Sequence, residues 1–303
     1  MIFLTILLGL LPSFLMVGLG GIVRNRLSVN AWQGLDKLNF EILFPALLFV
    51  SAASRPIEVV NLLRMAPAVW GILLTGLLLG YLVRRIGPAD FLDFAGAWQT
   101  AWRFNSAIGL VAVGTLSRAN EAQMAVAIGL AVPVANIFAV SALSRGSALG
   151  PVASAKRVAL NPFLLASIGG VLVGLTGLGI PAPVLAPLQM LAAAAIPIAL
   201  ISVGATMNWG ALARLDRFNG AICAIKLAAL PAITLAACLV FQIPPAIGSV
   251  LVVFAALPTA SAAHVLAAGF GANREIVATL VAQSTLLGAV SLPIWITLAE
   301  LLL

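Results

Sequence analysis

The chain has 303 residues, of which 62% are hydrophobic and only 8% charged, with a mean hydropathy of +1.16. Soluble domains carry roughly 25% charged residues, so the composition excludes a soluble globular protein and defines a polytopic membrane protein. The net charge of +7 does not mark a nucleic-acid binder, because the basic residues sit in short connections between apolar segments.

Water is absent from a bilayer core, so spans must be helices or a closed barrel. Long unbroken apolar runs, without alternation at period two, select helices. About 20 apolar residues cross the core. Ten such segments are predicted in chain order, at 2–22, 35–54, 63–83, 96–117, 121–143, 160–179, 184–207, 219–241, 246–269 and 275–302. The first has no basic residue before its apolar run and no small-x-small cleavage site before Arg24, so it reads as a retained helix. Pro88, Pro151, Pro181 and Pro244-Pro245 punctuate the gaps. Cys223 and Cys238 share one segment, too far apart to bond each other, and are expected simply to pack.

The segments form one transmembrane domain over 1–303, built from two repeats at 1–150 and 151–303. Phe14–Val23 is similar to Phe163–Leu172, Phe44–Ala53 to Ile196–Ala205, and Ala119-Asn120 to Ala272-Asn273. The order is kept at offsets of 149, 152 and 153. Weak internal two-fold repeats are a signature of secondary transporters, which bind substrate between the repeats. Five helices per repeat is an odd number, so the second repeat enters the membrane inverted.

Orientation follows the basic residues. Arg24, Arg26, Lys37, Arg84, Arg85, Arg145, Lys156, Arg157, Arg214, Arg217 and Arg274 flank odd-numbered connections, against Arg55, Arg64 and Arg118 in even ones. The odd connections are expected in the cytoplasm, with both termini outside.

Ionisable residues at bilayer depth are functional candidates. By helix rise, Glu41 lies about 10 Å inside the second segment, Arg103 about 10–12 Å inside the fourth and Lys226 about 10 Å inside the eighth. His264, the only histidine, lies near the cytoplasmic end of the ninth. One reading is a basic inner vestibule that draws an anion, with Glu41 and His264 exchanging protons. The other has Arg103 and Lys226 snorkelling to the interface, Glu41 paired with one of them, and His264 merely packed.

Asn105-Ser106 in the fourth segment and Pro258-Thr259 in the ninth are matched weak points, since an offset of 153 sets Asn105 opposite Pro258. Both fall about 15–18 Å deep, near the midplane of a core about 30 Å thick. Proline removes a backbone donor, and Asn105, Ser106, Thr259 and Ser261 add small polar groups at that level. Interrupted helices there would offer N-termini to an anion. The plainer alternative is a proline kink with hydroxyls bonded to their own helix. Pro45 and Pro197 form a second matched pair, read as bends that shape a cavity wall.

Gly76-x-x-x-Gly80 and Gly170-x-x-x-Gly174 read as close-packing positions. Trp32, Trp70, Trp98 and Trp209 fall at predicted boundaries and read as interfacial anchors. Asp90 and Asp93 read as a solvated charge cluster with Arg84 and Arg85. No zinc motif, phosphate loop or catalytic constellation appears, so neither an enzyme nor a cofactor or metal is expected.

Several stretches, taken together and in order, resemble the auxin efflux carrier family, whose bacterial members include malonate and malate permease-like proteins. They are Leu38–Phe49, Asn161–Leu164, Ile196–Ala205, Leu257–Ala260 and Ser284–Pro293. The resemblance implies ten helices, with helices 4 and 9 crossing at the substrate site. It also implies a scaffold of helices 1, 2, 6 and 7 beside a moving unit of helices 3–5 and 8–10. Asn105 matches the family's crossover asparagine. Where many relatives carry a proline soon after it, this chain runs Gly109-Leu110-Val111, which predicts a less sharply broken helix 4.

The expected function is a secondary active transporter of the bacterial inner membrane, moving a small organic anion such as a carboxylate by elevator-like alternating access. Asn105, Ser106, Pro258 and Thr259 are the expected substrate site, with Arg103 supplying positive charge and Glu41, Lys226 and His264 as relay candidates. Expected partners are the anion and the lipid bilayer, with protons and a second copy of the chain as further candidates. Alternatives are a sodium-coupled symporter of the bile-acid and arsenite type, disfavoured by Glu41 as the sole intramembrane carboxylate, and a sensor without flux.

Overall fold

The computed structural model describes residues 2–53, 59–113, 116, 118–146, 152–153, 156, 159–177, 179–206, 209–210 and 215–303. Arg55, Pro151, Arg157 and Arg214 lie outside these residues, as do the side chains of Arg64, Arg118 and Asn120. The described elements are all helical. Among the described residues, five stretches are long and apolar enough to cross a membrane: Met65–Ile86, Val126–Gly146, Ala182–Thr206, Arg217–Val240 and Arg274–Leu302.

The first half holds α1 (Ile2–Val23), α2 (Val29–Leu38), α3 (Phe44–Ala53), α4 (Val59–Leu82), α5 (Phe91–Trp98), α6 (Ser106–Val113) and α7 (Arg118–Gly146). The second holds α8 (Pro162–Thr176), α9 (Ala182–Thr206), α10 (Arg217–Ala224), α11 (Leu230–Val240), α12 (Pro245–Ala256), α13 (Ala262–Phe270) and α14 (Arg274–Leu302). A π-turn over Asn39–Leu43 joins α2 to α3, and another over Ile225–Ala229 joins α10 to α11. Each is followed, one residue later, by a proline, Pro45 or Pro231. A proline ring collides with the carbonyl four residues back and has no N–H to give. Widening the preceding turn to an i→i−5 bond, Phe44 to Asn39 and Leu230 to Ile225, lets the helix run on.

Packing sorts the helices into two groups. In one, α1 packs on α9, and α3 on α8 and α9. In the other, α4 and α5 pack on α7, and α12 on α7, α11 and α14. Between the groups, α13 meets α2, and α14 meets α1 and α9. The glycine pairs of the repeated stretches set the first group. A Cβ on Gly20 would overlap the carbonyl oxygen of Ile201, and one on Gly170 would lie 2.7 Å from that of Phe49. Phe49 and Ile201 are themselves related by the offset of 152. Gly170 lies one residue past Gly169, the position that the offset of 149 pairs with Gly20, so α1 on α9 and α8 on α3 use a similar close glycine-to-carbonyl approach, one residue out of register.

The Asn161-Pro162-Phe163 stretch starts α8. Asn161 Oδ1 accepts the Phe163 and Leu164 N–H groups at 3.0 and 3.4 Å, and Pro162 occupies a first-turn position where no N–H is needed. Phe163 stacks against Phe40 and Phe44 of the second predicted segment.

Two local expectations change. Trp70 and Trp209 are partly exposed, but Trp32 and Trp98 are buried at 7% and 8%, their indole N–H groups bonded to the Arg24 and Leu77 carbonyls. They fasten helices together rather than anchor to an interface. Asp90 is the N-cap of α5, accepting from Leu92 N, and Asp93 accepts from Asn273 N at 2.8 Å. Arg84 donates to the Pro88 and Ala89 carbonyls and covers the Phe94 ring at 4.8 Å, so these charges act as caps and ties. Cys223 and Cys238 are both buried free thiols, as expected.

Candidate functional site

Both predicted weak points are helix breaks. Between α5 with its 3-10 extension Gln99–Ala101 and α6, residues 102–105 leave the helical path. Between α12 and α13, residues 257–261 do the same. The fourth helix therefore breaks without the proline that resemblance leads one to look for. Asn105 does the work instead. Its Oδ1 accepts from Ile108 N at 3.2 Å and its carbonyl from Gly109 N at 3.0 Å, so it caps α6 as a fresh helix start.

The N–H that Asn105 withdraws from its own helix goes to the carbonyl of Pro258, at 2.8 Å. Away from water an unpaired backbone group is costly, and here each break satisfies the other. Thr259 N–H reaches Ser284 Oγ of α14 at 3.4 Å. Gly109, four residues after Asn105, lets α6 approach Leu257, which a Cβ would meet at 2.9 Å. Thr259 is fully buried, and its hydroxyl oxygen has no hydrogen-bond partner. The N-termini of α6 and α13 both begin at this level, so two positive helix ends converge on the breaks.

Two cations are buried beside them. Arg103 is 5% exposed and donates to Asn136 Oδ1 at 2.9 Å and Gln99 Oε1 at 3.4 Å. Lys226, 2% exposed, sits in the second π-turn and donates to the Ala255 carbonyl at 3.3 Å, in the last turn of α12. That carbonyl has no intrahelical donor left, and a cation at a helix C-terminus is electrostatically favoured. Among the described residues no ion pair involves either cation. Neither snorkels to an interface. Gln99, fully buried, donates to the Ala263 carbonyl at 3.2 Å and ties the two broken helices together a second time.

The relay candidates fall apart. Glu41 is 54% exposed and faces Lys37 at 3.9 Å on the same helix. The carboxylate beside His264 is instead Asp36, which sequence reading passed over. Asp36 accepts a hydrogen bond from Ser202 Oγ, and its Oδ1 lies 3.7 Å from His264 Nε2. Arg274 Nη2 lies 2.9 Å from Asp36 Oδ2, as an ion pair without hydrogen-bond alignment. The same nitrogen donates to Thr206 Oγ1 at 2.9 Å. Ser202 and Thr206, four residues apart on one helix face, were the legible signal for this cluster. Lys226 reaches the broken helix through Ala255, whereas His264 belongs to the Asp36 cluster.

Pro45 follows the first π-turn, and Pro197 lies inside α9. Beside Pro197, the fully buried Asn39 directs its carboxamide at Ala195 O and Ala199 N, at 3.3 and 3.1 Å in the amide orientation that satisfies both. Pro45 thus follows an irregular turn and Pro197 lies within a continuous helix, where the second and seventh predicted segments touch.

An apolar, all-helical chain with several membrane-crossing helices is an integral membrane protein, and paired helix breaks with buried cations are features of the transporter class. Residues 151–296 match the model of the family described as "Membrane transport protein". A protein of Rhizobium meliloti (strain 1021) named "Putative malonate transporter" is 27% identical, over 91% of this chain and 90% of its own length. The second repeat of the chain thus matches a membrane transport family, and both similarities agree with the resemblance to the auxin efflux carriers.

Proposed function

We propose that the protein is a secondary active carrier that moves a small organic anion, a carboxylate, across the membrane by alternating access. The observation that carries this reading is the hydrogen bond from Asn105 N–H to the Pro258 carbonyl, which joins two helix breaks where Arg103 and Lys226 lie buried without an acidic partner. An anion at this point meets two helix N-termini and two buried cations. Asn105, Ser106, Pro258 and Thr259 line its site, the Thr259 hydroxyl is a free donor, and Arg103 supplies charge. Malonate, the compound in the relative's name, belongs to this substrate class and is the first to test.

The mechanism follows the two packing groups. Ten transmembrane helices form two inverted repeats of five, and helices 4 and 9, each broken, cross at the site. The group of α1–α3, α8 and α9 is the scaffold, held by the close glycine contacts at Gly20 and Gly170. The remaining helices move against it as an elevator. In a bacterial inner membrane the basic connections face the cytoplasm and both termini face outward.

Uptake of radiolabelled malonate and a panel of other mono- and dicarboxylates into proteoliposomes tests this reading. Asn105→Ala should cost about 1 kcal/mol of stability as a lost cap, leaving a folded, monodisperse protein, while uptake falls by more than about tenfold, the loss expected from a charge-assisted contact. Wild-type rates in that variant would remove the crossover from the mechanism. Uptake that persists with choline in place of sodium separates this carrier from a sodium-coupled one.

A further inference from the structure

We propose that Asp36 and His264 form a proton-binding site between the two helix groups, so that one proton binds and leaves in each transport cycle. This rests on the carrier reading and adds the coupling ion to it. Asp36 lies on α2, with Ser202 and Thr206 on α9 of the same group; His264 lies on α13 and Arg274 on α14 of the other. The cluster therefore spans the surface along which the groups would slide. Asp36 is 2% exposed and His264 0%.

The hydrogen bonds define where a proton goes. Ser202 gives its hydroxyl proton to Asp36, so its oxygen faces His264 Nε2, 3.5 Å away, as an acceptor. That fits an imidazole protonated at Nε2. His264 Nδ1 is then a bare lone pair, buried and without a hydrogen-bond partner. A proton can add there without breaking a bond. Imidazole is the side chain whose charge changes within the physiological range.

With neutral His264 the Asp36 carboxylate and the Arg274 guanidinium balance. A proton on Nδ1 leaves two cations sharing one carboxylate in a low-dielectric site, and the imidazolium and Arg274 repel. Since Asp36 belongs to one group and both cations to the other, the excess charge is relieved by moving α13 and α14 relative to α2 and α9. Loss of the proton restores the balanced contact.

Other charges do not absorb the effect among the described residues. On the second predicted segment, Lys37 and Glu41 face outward, 74% and 54% exposed. Glu275 beside Arg274 and Arg145 at the end of α7 are exposed. Asp93 in the first turn of α5 accepts from Asn273 N, and α9 carries no charged residue.

His264 is the only histidine, so protein labelled with ring-¹⁵N histidine gives one imidazole, and its titration in nanodiscs needs no substrate. The expected result is a reversible change of the imidazole's protonation state over the pH range in which the protein stays folded, with a curve displaced in Asp36→Asn. An imidazole that keeps one protonation state over that range, or a curve untouched by Asp36→Asn, overturns the proposal. In proteoliposomes, an imposed difference of one pH unit should change wild-type malonate accumulation up to about tenfold. His264→Gln and Ser202→Ala supply independent variants. His264→Gln should keep malonate exchange at equal pH within about twofold and lose the response to the gradient. Exchange with the gradient response intact in His264→Gln overturns the proton site alone, whereas absence of any malonate flux in the wild type overturns the carrier reading.

Discussion

Gly204→Ala should all but abolish the folded protein. A Cβ at this position would overlap the carbonyl oxygen of Val17 on α1, and the same substitution at Gly20 would strike the carbonyl of Ile201 on α9. Both neighbours are backbone and cannot rotate aside, so α1 and α9 must separate along their whole contact. Overpacking of this kind costs about 1–3 kcal/mol, and more where nothing yields, against a total stability of only about 5–15 kcal/mol for typical domains. The control is Gly18→Ala, two residues from Gly20 in the same helix, where nothing lies within 4 Å. There the added methyl should be neutral or stabilising by up to about 1 kcal/mol through helix propensity. Monodisperse yield in detergent and the midpoint of thermal unfolding read both effects. Equal behaviour of Gly18→Ala and Gly204→Ala would mean that the α1–α9 contact does not determine stability.

Lys226→Met has the opposite character. It removes a buried ammonium whose one hydrogen bond goes to the Ala255 carbonyl and puts an apolar chain of similar length in its place. Replacing buried charge with apolar volume is often neutral or stabilising, so the variant should fold at least as well as the wild type. Transport should still collapse. A hydrogen bond to a charged group contributes about 1.5–3 kcal/mol, so malonate uptake should fall about 10- to 150-fold. Lys226→Arg, which keeps the charge, should retain part of it. A folded Lys226→Met protein with undiminished uptake would reduce Lys226 to a helix cap and leave Arg103 as the sole buried cation acting on the anion.

These two positions differ in how far the sequence exposed them. Lys226 stands out in an apolar run because charge at bilayer depth is rare. Gly204 was one residue in a repeated stretch, and nothing in the sequence says which of its neighbours is a helix backbone. Asn105 and Pro258 were legible for a third reason. Proline is a local instruction to break a helix, and the repeat offset carried that instruction to the matching position. The sharpness of the break at Asn105 was underestimated, because the capping bond to Ile108 and the export of the Asn105 N–H to Pro258 need a partner 153 residues away.

The sequence by itself determined the class of molecule, the helical regions and the two weak points, since bilayer insertion and helix breaking depend on residue type and near neighbours. Only the tertiary structure decided which ionisable side chain faces inward. Glu41 and Asp36 are five residues apart, about 140° around a regular helix, and a π-turn begins between them. Charge alone does not say which of two nearby carboxylates the neighbouring helices will cover. Folding gives Glu41 to the surface beside Lys37 and buries Asp36 against Ser202, His264 and Arg274. These groups come from three other helices, and it is their convergence that makes a buried carboxylate tolerable.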